Sequence, residues 1–126
     1  MATLSLSEIR DHAVNAFEEW LDRHKHFFTD NDEKKNKTKQ RQLKELLKVA
    51  ADTRKNTSIP DLLGFALWAQ NMLTMWGVNF GRGIVGDPVK SFYLTTNDDV
   101  DEECSKRLAH ALADMLQLQF VYLHSP

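Results

Sequence analysis

The sequence predicts an all-α single domain spanning residues 1–126: four helices packed as a bundle, with a glycine-rich loop between the third and fourth. Three observations predict it. Residues 59–77 are apolar nearly all round, with Asp61, Gln70, Asn71 and Thr74 the polar exceptions between Pro60 and Trp76, as suits a buried helix. The flanking stretches repeat apolar residues at three- and four-residue steps, the helical period. Four of the five glycines fall within residues 77–86, followed by Pro88, and that punctuation marks a loop.

The first helix is expected from Leu6 to Phe28. Ser5 and Glu8 have capping-box spacing, and Leu4 and Ile9 suit a hydrophobic staple. Ile9, Ala13, Ala16, Phe17, Trp20, Leu21 and Phe28 share one face. Thr29-Asp30-Asn31-Asp32 then reads as a turn that caps a second helix over 33–55. The apolar stripe of that helix is Leu43, Leu46, Leu47 and Ala50; its first turns have none, so they are expected to fray until a partner binds.

Ser58 is the expected N-cap of the third helix, Pro60 fits its first turn and Gly77 its stop. This helix is expected at the centre, covered by the others. Residues 78–95 are irregular: Phe80, Ile84, Val85, Phe92, Tyr93 and Leu94 suit either a short hairpin or a loop pinned to the core. The fourth helix is expected from about Asp98 to Leu123, with acids crowding its start, where they complement the helix dipole. Val100, Cys104, Leu108, Ala111, Leu112, Met115 and Gln119 trace its inner face, and residues 116–123 are apolar nearly all round, as for a buried end or a partner contact.

Composition narrows the function classes. With 42% hydrophobic and 27% charged residues the balance is that of a globular domain. A net charge of −2 gives no global attraction to nucleic acid or an anionic membrane. The single cysteine, Cys104, rules out an internal disulfide and suits a reducing compartment. The N-terminus lacks signal-peptide character, and 59–77 is too short and interrupted for a membrane span of roughly 20 residues. A cytoplasmic protein is expected.

The charge distribution is the most informative feature. Residues 34–55 hold nine of the sixteen basic residues against two acids, Glu45 and Asp52, so the window carries about +7 and the remainder about −9. At about 100° per residue, Lys37, Arg41, Lys44, Lys48 and Lys55 form one stripe away from Leu43, Leu46, Leu47 and Ala50. Such a row can track phosphates with salt-dependent, sequence-tolerant affinity. It can equally be a solvated face or meet an acidic partner. Arg82, within glycines, is a further candidate phosphate contact.

Other motifs carry less. Gly81-Arg82-Gly83-Ile84-Val85-Gly86 fits G-x-G-x-x-G but follows a helix instead of a strand, so no dinucleotide cofactor is expected. His24 and His26 point apart on a helix, and no H-E-x-x-H or C-x-x-C exists, so no metal is expected. Cys104 reads as a small core residue, and Trp20, Trp68, Trp76, Met72 and Met75 read as core. No catalytic set assembles and no R-x-x-x-x-H signature of helical ribonucleases is present, so an enzyme is not expected.

With these pieces placed, the chain resembles the small helical subunit of type III CRISPR–Cas effector complexes. The landmarks are Gln42-Leu43-Lys44 on a basic helix, Gly81-Arg82 after a long apolar helix, and a C-terminal Phe120-Val121-Tyr122-Leu123-His124. They span about residues 40 to 124. The sequence departs in its tryptophan-rich third helix and longer glycine loop. The resemblance implies a CRISPR-associated, antiviral role: a non-catalytic RNA-binding protein lining a nucleic-acid duplex within a multi-subunit filament, touching neighbouring copies. The rival expectation is a protein-interaction module, a phage or bacterial regulator or inhibitor, acting through acidic or C-terminal apolar surfaces.

Overall fold

Ser5 starts the first helix as its sequence requires: its Oγ accepts from the Glu8 N–H at 3.2 Å, and Glu8 Oε1 accepts from the Ser5 N–H at 3.3 Å. From this capping box a computed structural model, describing residues 4–81, 92–95 and 97–118, runs through α1 (Leu6–Arg23), a 3₁₀ turn (Lys25–Phe28), α2 (Glu33–Thr53), α3 (Ile59–Thr74), β1 (Val78–Gly81), β2 (Phe92–Thr95) and α4 (Glu102–Leu116). The four helices pack together as one all-α domain, and β1 and β2 pair antiparallel as a small ribbon with Val78 opposite Thr95 and Gly81 opposite Phe92. Of the two readings of residues 78–95, the ends are therefore a hairpin; residues 82–91, Arg82 among them, lie outside the described residues.

The helix expected over 6–28 ends at Arg23. The reason is the His24 ring. Its Nδ1 lies 2.6 Å from the Trp20 carbonyl oxygen, the acceptor that the next helical amide would use, so the His24 N–H turns instead to Leu21 at 3.2 Å. The Nε2 of the same ring accepts from the Asp101 N–H at 2.9 Å. A carbonyl can only accept and an amide can only donate, so the neutral Nδ1–H tautomer is fixed. One buried imidazole thus stops α1 and ties it to the N-cap of α4.

α1, and not α3, is the helix the others gather on. Its Ala13, Val14, Phe17, Trp20 and Leu21 are buried, and its most extensive partner is α4, whose Cys104, Ser105, Leu108, Leu112 and Met115 are buried in turn. The Trp20 indole Nε1–H donates to Ser105 Oγ at 2.8 Å, and the indole stacks on His24 at 3.8 Å. At the rim, Glu19 accepts from Arg107 at 2.6 Å and Arg23 at 3.3 Å, which holds its carboxyl below the usual range. Burial, with Glu19 and Asp101 nearby, pushes the Cys104 thiol up to about 11, as befits a core residue.

The apolar sequence of α3 does not make it central. Leu62, Phe65, Ala66, Ala69 and Leu73 are buried, but Leu67 is 45% and Met75 63% exposed. The bundle has too few helices to surround it, so one side faces out. Ser58 caps it, accepting from the Asp61 N–H at 3.3 Å, and Gly77, at φ 80°, turns the chain into β1, a conformation glycine adopts without a Cβ clash. Gly64 lies inside α3, and a Cβ built on it would meet nothing within 4 Å. Gly64→Ala should therefore stabilise the fold by about 0.5–1 kcal/mol through reduced backbone entropy in the unfolded chain, read as a higher urea midpoint.

α4 starts later than its acids suggest. Residues 97–100 form a turn in which Asn97 Oδ1 accepts from the Asp99 N–H at 3.0 Å, and Asp101 is the N-cap, accepting from the Cys104 N–H at 2.8 Å. Residues 119–126, including the apolar C-terminal turns, lie outside the described residues.

Candidate nucleic-acid interface

Asp32 begins α2. Its Oδ1 accepts from the backbone N–H groups of Lys34 at 2.9 Å and Lys35 at 3.1 Å. Lysine, glutamine, leucine, glutamate and alanine then favour helix over most of its length. Its first turns have no apolar face, and side chains tie them to the preceding turn instead. Asn36 Oδ1 accepts from the Asp30 N–H at 3.0 Å, Gln40 Nε2–H donates to the Phe28 carbonyl at 2.6 Å, and Lys39 pairs with Asp30 at 3.0 Å. The Asp30 carboxyl is accordingly held below its usual range, by the Asp32 N–H first and Lys39 next. Further along, Leu46, Ala50 and Thr53 are buried, and Arg54, the C-cap, reaches Glu18 and, at 2.7 Å, Asn15 Oδ1 on α1.

These ties sort the cations. Lys39 and Arg54 are turned inward onto carboxylates of the protein itself. Lys37 makes an exposed pair with Glu33 at 3.7 Å, one helical turn back, a contact worth only tenths of a kcal/mol. Arg41, Lys44 and Lys48 are exposed and, among the described residues, have no carboxylate within 4.0 Å. Glu45 and Asp52 stand four residues on from Arg41 and Lys48, at pairing distance along a helix, yet close no ion pair with them. Lys55 falls beyond the end of α2, its N–H bonded three residues back to Asp52 at 3.1 Å. It is exposed. The predicted row is thus carried on α2 from Lys37 to Lys48, Lys55 lies exposed just beyond the helix end, and Arg82 lies outside the described residues.

Sequence reasoning missed what lies beside the row. Leu47 was expected within the buried stripe; it is 38% exposed. α2 meets the bundle along Leu46 and Ala50, and Leu47 is turned far enough from them to reach the surface. With Leu43 it forms the apolar floor of an open groove of about 460 Å³, also lined by Asn36, Lys37, Gln40, Arg41 and Lys44. The signal was present in the sequence: positions 40, 43, 44 and 47 are helical neighbours, so leucines and cations were bound to share an edge.

A second open cavity, about 360 Å³, lies where α2 ends and α3 begins, between Asp52, Asn56, Asp61 and Trp68. Among the described residues no three His, Cys, Asp or Glu side chains gather as a metal site would require, and no helix is long and apolar enough to cross a membrane. Compared with known proteins, the chain matches no family model, no curated protein and no solved structure.

Proposed function

We propose that this protein is a non-catalytic, nucleic-acid-associated subunit of a larger cytoplasmic complex, holding a phosphate backbone, RNA by preference, on the exposed edge of α2. The observation that carries the reading is the trio Arg41, Lys44 and Lys48. These cations are exposed on one face and, among the described residues, have no carboxylate within 4.0 Å to neutralise them, whereas Lys39 and Arg54 on the same helix are consumed by internal pairs. Seven residues of helix separate the first from the last, about 10 Å of rise. That span equals about three nucleotides of axial rise at about 3.4 Å each. Lys37 extends the row by one turn, and Lys55 and Arg82 are further proposed contacts. No cofactor or metal enters this reading.

The subunit part of the proposal rests on a different face. Leu67 and Met75 leave apolar surface on the outer side of α3, which suits contact with another protein chain or a second copy of this one. The same face supports the rival reading, a regulator or inhibitor that binds a protein alone.

Reversing the trio (Arg41→Glu, Lys44→Glu, Lys48→Glu) should lower affinity for single-stranded RNA by at least about tenfold. The wild-type affinity should fall with salt with a log–log slope of about −2 to −3, the value for three displaced counterions. Binding that ignores salt, or survives the reversal, defeats the proposal. Partners that persist through nuclease treatment, with no RNA binding, favour the protein-only rival.

A further inference from the structure

We infer that the groove on α2 selects unpaired nucleotides over a duplex, with phosphates on Arg41 and Lys44 and base faces against Leu43 and Leu47. This inference rests on the nucleic-acid reading above and assigns its substrate class. A phosphate-tracking surface needs only cations. Here the cations border an apolar depression of about 460 Å³, within the range of about 300–1,000 Å³ typical of pockets that hold small organic groups.

The order of the residues around the helix decides what fits. Lys44 lies one position beyond Leu43 and three before Leu47, so charge and apolar floor are side by side along the same edge. A ligand that fills both must carry anionic groups and apolar flat faces within a few ångströms of each other. An unpaired nucleotide does so, and its base can turn from its phosphate into the groove. A duplex stacks its bases on one another and presents phosphates and sugars outward, leaving Leu47 uncovered. Apolar side chains are accepted partners for an unstacked base face, and such contacts tolerate any base because every base has one.

Two details suit this occupant. Gln40, which lines the groove, spends its Nε2 on the Phe28 carbonyl, which holds the side chain in place and leaves its amide oxygen as an acceptor. The groove runs along twelve residues of helix, from Asn36 to Leu47, about 16 Å, long enough for several consecutive nucleotides.

The test uses the full chain and fluorescence polarisation with one labelled, unstructured RNA, alone and annealed to its complement, at equal salt. The single strand should bind at least about tenfold more tightly than the duplex. Leu47→Ser, at a position already partly open to water, should erase most of that preference and leave duplex affinity unchanged. Arg41→Glu with Lys44→Glu should weaken both. Equal affinity for the two forms, or a preference untouched by Leu47→Ser, overturns the groove assignment while the cationic backbone contact stands. Failure of both RNAs to bind, with or without binding of a leucine-containing polyglutamate peptide, overturns both.

Discussion

Trp20→Ala should cost about 3–5 kcal/mol, the largest loss from any single side chain in this fold. The indole is fully buried between α1 and α4. It donates to Ser105 Oγ, stacks on His24, and lies 5.7 Å from Trp76 between ring centres. Truncation opens a cavity at the tightest helix–helix contact and removes the donor to a buried hydroxyl. Trp20→Phe separates the two effects. It keeps most of the volume but leaves Ser105 without its indole donor, which should cost about 1–3 kcal/mol. The double variant Trp20→Phe, Ser105→Ala should recover part of that loss, because no polar group is then buried without its partner. Urea midpoints of the three variants decide the matter; no loss for Trp20→Phe, or no recovery in the double variant, would contradict the assigned hydrogen bond.

The second large effect is a loss of stability in mild acid, centred on His24. Burial holds this imidazole below its ordinary value of 6.5, although the hydrogen bond to the Trp20 carbonyl pulls in the opposite direction. A proton on Nε2 would face the Asp101 N–H that now donates to it, so charging the ring breaks the junction of α1 with α4. Nearby, His26 and Arg23 oppose the charge and Asp101 favours it. Below pH 6.5 the unfolded chain takes up a proton that the folded chain does not. The stability contributed here is therefore complete above pH 6.5 and declines as pH falls from there, until the folded ring also protonates. The carboxylates Asp30 and Asp101, both held below their usual range, add their own losses only at lower pH, as each falls through its folded value. His24→Ala should cost about 2–4 kcal/mol at neutral pH, from the cavity and the orphaned Asp101 N–H. In that variant the stability-against-pH curve should lose its step just below pH 6.5. A wild-type curve flat between pH 7 and 5 would refute the proposed role of the ring.

Both effects concern the buried α1–α4 junction, whereas the α2 cations are exposed. Trp20 and His24 should alter nucleic-acid affinity only through the folded fraction, whereas the trio Arg41, Lys44 and Lys48 should alter affinity at unchanged stability. The two sets of variants therefore provide controls for one another.

Local chemistry in the sequence determined the helices and most of their ends. Ser5 with Glu8, Asp32, Ser58 and Gly77 act within a few residues of themselves, and a cap or a positive φ needs no distant partner. The basic row from Lys37 to Lys48 was legible for the same reason, since the helical period alone fixes which residues share a face. Tertiary structure decided the rest. It stopped α1 at Arg23, because the carbonyl of Trp20 met the Nδ1 of the His24 ring, whose Nε2 is held by the N–H of Asp101, 77 residues on. It made α1 the hub and left α3 half exposed, because hydrophobicity fixes how much surface a helix must bury but not which neighbours arrive to cover it. It opened Leu47 into a groove, because a stripe of apolar residues is wider than the line along which one helix meets a bundle.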